Sequence, residues 1–417
     1  MKVRRVVVTG LGALTPLGNN VPEFWNGLVN GVSGANTITK FDASKFKTQF
    51  ACELKNFDPL KYFDRKEARK YDPYAQYGLA ATEEAVTDSG MNLETINRDR
   101  VGVIFSSGIG GIGTFYEEVV SFANGDGTPR FSPFFIPKMI SDITAGHISI
   151  KYGFRGPNFC IVSACASSSN AMVDALNYIR WNKADMFVVG GSEAAINPPG
   201  VGGFNALHAL SQRNDDPTTG SRPFDKDRDG FVIGEGAGVL IFEELEHAIN
   251  RGAKIYGEVA GGGMSADAYH MTSPHPEGVG AILSMRAAIE DAGFQPEDID
   301  HINTHGTSTP LGDIAETTAI VRLFGAYTPK ISVNSTKSMT GHLLGAAGAI
   351  EGIATLLSIK NNIIPPTINH ITDDPDIPAE VNIVFGKAEK RIVNAALSNT
   401  FGFGGHNASI IFKKFVE

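Results

Sequence analysis

The sequence predicts an α/β protein with sheets covered on both faces, and three observations lead there. Short apolar, β-branched runs alternate with helix-period segments along nearly the whole chain. Two of those helices are almost free of charge, which places them in the interior rather than at a surface. No low-complexity or Pro/Ser linker interrupts the alternation, so any domains share an interface. In chain order, Val6–Val8 is the first buried strand, followed by a helix over 71–90 and a strand at Val101–Phe105. A helix over 140–151 leads to a strand at Phe159–Val162, and the first charge-poor helix spans 166–181. Met186–Val189 and Val239–Phe242 are apolar runs of strand length, and Ile255–Val259 is a further strand. Helices over 278–292 and 312–324 flank a short strand in HINTH (301–305). The strand Ile331–Val333 precedes the second charge-poor helix, 342–360, and Ser409–Phe412 is the last strand.

The two charge-poor helices resemble each other. Segments 161–179 (IVSACASSSNAMVDALNYI) and 333–359 (VNSTKSMTGHLLGAAGAIEGIATLLSI) each pass from a strand end through a hydroxyl-bearing turn into Ala, Gly, Ser and Leu. One such helix per half implies an internal duplication with both helices at the centre. The expected seam lies near Arg251–Ala253, dividing the chain into 1–252 and 253–417.

Bulk composition excludes several classes. A net charge of −9 argues against a nucleic-acid binder and against broad attraction to anionic membranes. No apolar stretch reaches the roughly 18–20 residues of a membrane span, and MKVRRVVVTG runs into a strand rather than a signal-peptide core. Three cysteines, Cys52, Cys160 and Cys165, make neither a disulfide framework nor a zinc-type pair, so a reducing cytoplasm is the economical reading.

Three motifs fail on context. Gly108-x-Gly110-x-x-Gly113 follows a strand, but no ordinary helix is expected to follow at once and no acidic residue ends a second strand. A glycine-rich turn at a ligand pocket is the better reading. DKDRDGFVIGEG (225–236) begins like a calcium loop, yet position 12 is Gly236 and the required glutamate arrives early as Glu235. HINTH lacks the glutamate and the helix of a zinc protease site.

One constellation survives. Cys165 stands where an apolar run meets the N-terminus of the first charge-poor helix. Helix dipole and free N–H groups there are expected to favour the thiolate. An inert buried cysteine is the plainer alternative. The small residues Ala166 and Ser167–Ser169 allow a sharp turn and leave room beside the sulfur. His305 opens HGTSTPLGD after a strand, His342 sits one residue into the second charge-poor helix, and Lys337 lies five residues earlier. Strand C-termini and helix N-termini are where α/β sites gather.

SACASS, HGTSTPLGD, K-x-x-x-GHLLGAAG and NTFGFGGHN, in this order and spacing, resemble the β-ketoacyl-acyl-carrier-protein synthases over essentially the whole chain. The similarity is greatest to their type II, long-chain elongating class. The resemblance implies a thiolase-like, five-layered αβαβα fold of two duplicated halves, each with a mixed sheet, and a homodimer. It implies a decarboxylative Claisen condensation of acyl- and malonyl-loaded acyl carrier protein that uses neither cofactor nor metal. Cys165 takes the role of nucleophile, with the N–H groups of Cys165 and Phe403 as oxyanion hole. His305 and His342 take that of donors to the malonyl thioester oxygen. Lys337, with Glu351 as ion partner, tunes the field or serves as a structural salt bridge. Thr307 and Thr309 match the hydroxyls that hold the phosphopantetheine arm. Phe401 and Phe403 belong to a glycine-rich gating loop, and Ile109 matches the acyl-pocket position. For docking the carrier, Lys66, Arg69 and Lys70 form a basic face at helical spacing, and His208 stands where the family has a basic residue. A thiolase is disfavoured by the lack of a second cysteine after Cys165, and a Cys-His-Asn enzyme by His342. A specialised polyketide or polyene synthase, or a non-elongating partner subunit, stays open as the alternative, as does the acyl chain-length range.

Overall fold

The computed structural model describes residues 3–416. Ten strands make its main sheet: β1 (Val6–Leu14), β2 (Val101–Ser106), β3 (Asn158–Phe159), β4 (Met186–Glu193), β5 (Gly236–Glu244), β6 (Gly257–Ala266), β7 (His301–Asn303), β8 (Ser332–Asn334), β9 (Ala395–Gly402) and β10 (His406–Lys413). The principal helices are α1 (Pro73–Asp88), α2 (Ile112–Ala123), α3 (Ile143–Tyr152), α4 (Ser167–Arg180), α5 (Val279–Ala292), α6 (Pro310–Phe324) and α7 (Ala347–Asn361).

Strand order is β3-β2-β4-β5-β1, then β6-β10-β9-β7-β8. Adding five to each label of the first set gives the second set in reverse order, and the directions match as well. β2 is parallel to β3 and β4, β5 antiparallel to β4 and β1. β7 is parallel to β8 and β9, β10 antiparallel to β9 and β6. The two five-stranded sheets are not separate: Val6, Val7 and Val8 of β1 pair with Val259, Glu258 and Gly257 of β6. α4 and α7 pack on each other and on strands of both sets, while α1 covers one outer face and α5 and α6 the other. This is the five-layered, thiolase-like arrangement. Every residue from Ala347 to Ile359 is buried, as the lack of charge in that helix requires.

The helices touch because their facing residues are small. A Cβ on Gly348 would lie 2.0 Å from the Ser169 Oγ, and Ser168 Oγ accepts from the Ala349 N–H at 3.0 Å. The serines after Cys165 therefore join the two halves of the molecule.

Four expectations need correction. The buried strand at Phe159–Val162 shrinks to Asn158–Phe159, because β3 is a sheet edge with one neighbour, and Val162 is 57% exposed. A helix does follow the glycine-rich segment: α2 begins at Ile112, with Gly111 as its N-cap. His342 is not on a helix; it lies after Gly341 (φ +67°), its N–H bonded to the Val232 carbonyl at 2.7 Å, and α7 starts five residues later. Lys66, Arg69 and Lys70 do not share a helical face, since Asp64 caps a helix of only Arg65–Ala68. All three are exposed.

Candidate active site

Cys165 is placed by a strained turn. Ala164, just before it, has φ +50°, a left-handed conformation unfavourable to any residue with a Cβ. Ser167 holds the turn: its Oγ accepts from the Ser163 N–H at 2.9 Å and donates to the Ala164 carbonyl at 2.6 Å. The Asn170 amide donates to the Ser163 Oγ at 2.7 Å. The sulfur is thus lifted to the mouth of α4 rather than carried on a regular turn.

Across the seam, β7 delivers His305 and the segment after β8 delivers His342. The Glu316 carboxylate accepts from the N–H groups of His305 and Gly306, at 2.9 and 2.8 Å, and fixes the first of these. Reactive atoms of Cys165, His305 and His342 all lie within 4.8 Å of one another. His342 Nε2 is 3.0 Å from the Cys165 sulfur. The imidazoles stand nearly perpendicular, centroids 5.2 Å apart at 85°, and His342 meets the Phe231 ring edge-on at 5.3 Å. The Nδ1 atoms of both histidines are buried without a hydrogen-bond partner among the described residues.

Lys337 and Glu351 form an ion pair behind the histidines, and both are almost wholly buried. Burial, and then the Lys337 ammonium, hold both imidazoles well below the usual histidine range. They are neutral at physiological pH. Burial pushes the Glu351 carboxyl up to about 7 against the pull of Lys337. The Cys165 thiol behaves contrary to the sequence-based expectation. Burial pushes it up to about 12, outweighing Lys337 and the Phe403 N–H, which pull it down. The resting group is a thiol, and desolvation is the reason.

A cavity of about 390 Å³ reaches these groups and is lined by Cys165, His305, His342, Thr307, Thr309, Phe401 and Phe403, with His208 also on its wall. Thr307 and Thr309 bond hydroxyl to hydroxyl at 3.0 Å. A Cβ on Gly402 would sit 2.9 Å from the Ser163 carbonyl and 3.1 Å from the Cys165 nitrogen, so only glycine leaves the space above that N–H open. Ile109 is not on the cavity wall; it packs with Cys165 in one apolar cluster with Phe204 and Leu344. Lys66, Arg69 and Lys70 lie off the cavity. Sequence reasoning missed Phe204, which faces Phe403 at 6.4 Å, and two buried acids, Glu316 and Glu193. Acids set among small and apolar residues, as in GGSEAAI, were the available signal.

Two family models match: the β-ketoacyl synthase N-terminal domain over residues 3–248 and the β-ketoacyl synthase C-terminal domain over 256–370. The chain belongs to the β-ketoacyl synthase family. The family's condensing acyltransferases include relatives that match end to end. A 3-oxoacyl-[acyl-carrier-protein] synthase 2 of Vibrio cholerae is 49% identical, covering 99% of this chain and 100% of that one. The enzyme of the same name from Synechocystis is 47% identical over 100% and 99%. Among solved structures, a β-ketoacyl synthase of Burkholderia phymatum superposes with a TM-score of 0.92 at 35% identity, covering 99% and 100%. A type II polyketide ketosynthase solved with its acyl-carrier protein gives 0.91 at 34%, covering both chains completely.

Proposed function

We propose that this β-ketoacyl synthase condenses acyl- with malonyl-acyl carrier protein, giving 3-oxoacyl-acyl carrier protein and carbon dioxide in fatty acid elongation. The observation that carries the reading is the meeting of Cys165, His305 and His342 within 4.8 Å, across the seam. In the first half-reaction the Cys165 sulfur attacks the acyl thioester while its proton passes to His342 Nε2 and on to the departing pantetheine thiol. The N–H groups of Cys165 and Phe403 receive the developing oxyanion. In the second, malonyl thioester loses carbon dioxide, the enolate carbon attacks the acyl-cysteine carbonyl and expels the Cys165 sulfur as thiolate, and a proton from solvent returns it to the thiol. Neutral His305 and His342 donate N–H bonds to the enolate oxygen. Neither Nδ1 has a hydrogen-bond partner among the described residues, so the tautomer of His342 is free to accept in one half-reaction and donate in the other. A fixed Nδ1 acceptor would forbid one of the two.

In this reading Thr307 and Thr309 hold the pantetheine arm, and Phe401 and Phe403 gate the acyl chain, which passes Ile109. Lys66, Arg69, Lys70 and His208 receive the acidic carrier, a partner class consistent with the carrier-bound polyketide relative. Halves 1–252 and 253–417 supply nucleophile and histidines respectively. The protein works as a homodimer: α2 and the segment after it expose Phe115, Tyr116, Val119, Phe122, Phe131 and Ile136, several of them stacked on one another. So much aromatic surface on one side suits a second copy. No helix among the described residues is long and apolar enough to cross a membrane.

The test is intact mass after incubation with a long-chain acyl carrier protein. Wild type gains the acyl group, Cys165→Ser does not, and malonyl-carrier discharges the adduct as 3-oxoacyl product. An adduct that malonyl-carrier cannot discharge refutes the roles of His305 and His342. A wild type that takes no acyl chain refutes the assignment, in favour of a silent partner subunit.

A further inference from the structure

Glu193, the last residue of β4, is 0% exposed and has no cationic partner among the described residues. Four donors converge on its carboxylate instead. Oε1 accepts from the Ser107 hydroxyl at 3.0 Å and the Ile109 N–H at 3.2 Å. Oε2 accepts from the Gly108 N–H at 2.8 Å and the Gly345 N–H at 3.0 Å. The first three belong to the loop after β2, and Gly345 belongs to the other half, three residues beyond His342. An isolated buried carboxylate is costly unless its lone pairs are filled, and here they are.

The backbones approach so closely that side chains are excluded. A Cβ on Gly345 would lie 2.2 Å from the Gly108 nitrogen, and one on Gly108 would lie 2.9 Å from Glu193 Oε2. Beside these contacts stand Ile109 and Leu344, which pack in the same apolar cluster as Cys165. Leu344 holds φ +48°, a strained value for a leucine that persists only where its neighbours are fixed. Ser107 extends the arrangement by accepting from the Gly110 N–H at 3.0 Å.

We propose that Glu193 is a positioning residue for chain-length selection, its carboxylate clamping Leu344 of one half, on the cavity wall, against Ile109 of the other, in the apolar cluster beside Cys165. The inference rests on the condensing reading above. Loosened, the clamp lets Leu344 shift on the apolar cavity wall that a long acyl tail must pass, whereas a short tail ends nearer the sulfur. Glutamine keeps the shape of Glu193 but turns an NH2 either toward the Gly108 and Gly345 N–H groups or toward the Ile109 N–H and the Ser107 hydroxyl, so at least one of the four bonds is lost.

The experiment compares kcat/KM for acylation of Cys165 by hexadecanoyl and by octanoyl carrier protein, in wild type, Glu193→Gln and Ser107→Ala. The long-to-short ratio falls about tenfold in Glu193→Gln, the effect of one lost hydrogen bond to a charged acceptor. It falls by a similar factor in Ser107→Ala, which removes one bond to the same carboxylate together with the acceptor of the Gly110 N–H. A merely structural glutamate would lower both values together and leave the ratio alone. A ratio unchanged or raised in both variants overturns the proposal, and Ser107→Ala decides if Glu193→Gln does not melt cooperatively. A wild type that accepts neither chain overturns the condensing reading and this inference with it. One that discriminates, with variants that match it, overturns the clamp alone.

Discussion

Removing either member of the Lys337–Glu351 pair breaks the same contact, yet the two losses differ in cost. Both side chains are almost wholly buried, at 1% and 0% exposure. Glu351→Gln leaves an ammonium without its carboxylate. A buried charge stripped of its counter-ion puts the penalty in the ~3–5 kcal/mol range for a broken buried pair. Lys337→Met leaves a carboxyl that burial has already pushed to about 7. It takes up a proton at pH 7 for well under ~1 kcal/mol more than in the wild type, and the methionine keeps most of the lysine stem's packing. Unfolding entropy near 2.1 cal/mol/K per residue gives roughly 0.9 kcal/mol/K for 417 residues. Glu351→Gln therefore lowers Tm by about 3–6 °C, and Lys337→Met by about 1 °C. The double variant tracks Lys337→Met. Differential scanning calorimetry at pH 7 on the three variants checks this. Equal losses from the two single variants would show that the carboxyl does not escape by protonation, and the reasoning would be wrong.

His305→Ala and His342→Ala each slow decarboxylation of malonyl-carrier by about 10²–10³, the usual effect of one oxyanion donor, measured as carbon dioxide release from pre-acylated enzyme. His342→Ala also slows acylation, since it removes the proton acceptor 3.0 Å from the sulfur, and His305→Ala does so far less. Reversing Lys66, Arg69 and Lys70 to glutamate raises KM for carrier about tenfold with little change in kcat, and moderate salt narrows the difference. Equal KM values at low salt would remove these residues from the docking face. For Glu193, burial raises the folded carboxyl from the ordinary 4.5 to about 7, so the folded state binds the proton more tightly. Its contribution is most favourable below pH 4.5 and is lost as pH rises to about 7. Wild type gains about 2 kcal/mol on Glu193→Gln between pH 7.5 and pH 5, readable as a Tm difference that widens in acid.

Much of the fold was legible because burial leaves a compositional mark. The β4 and β5 cores are unbroken apolar runs, and α7 reads as interior because it holds one acid, Glu351, among Ala, Gly, Ile and Leu. The strand at Phe159–Val162 misled because an apolar run does not by itself record burial: at this sheet edge Val162 stands exposed. Cys165, His305 and His342 were recognisable from their places at element ends. The ionisation of Cys165 was not, because it depends on burial by segments from both halves, which no local pattern records. The setting of Glu193 in GGSEAAI hints at a buried acid, but its partners were not legible, for a similar reason. Its four donors come from positions 107–109 and 345, distances along the chain that no periodicity connects.

The final strand closes the molecule on both sides: β10 pairs with β9 and with β6, and Phe403 sits in the hairpin that leads into it. Cys165, His305 and Phe403 are thus drawn from successive parts of the chain and are brought together only when this strand pairs. Until it does, β6 has an open edge and the hairpin carrying Phe403 is not held over Cys165, so closing the sheet and completing the cavity are one event.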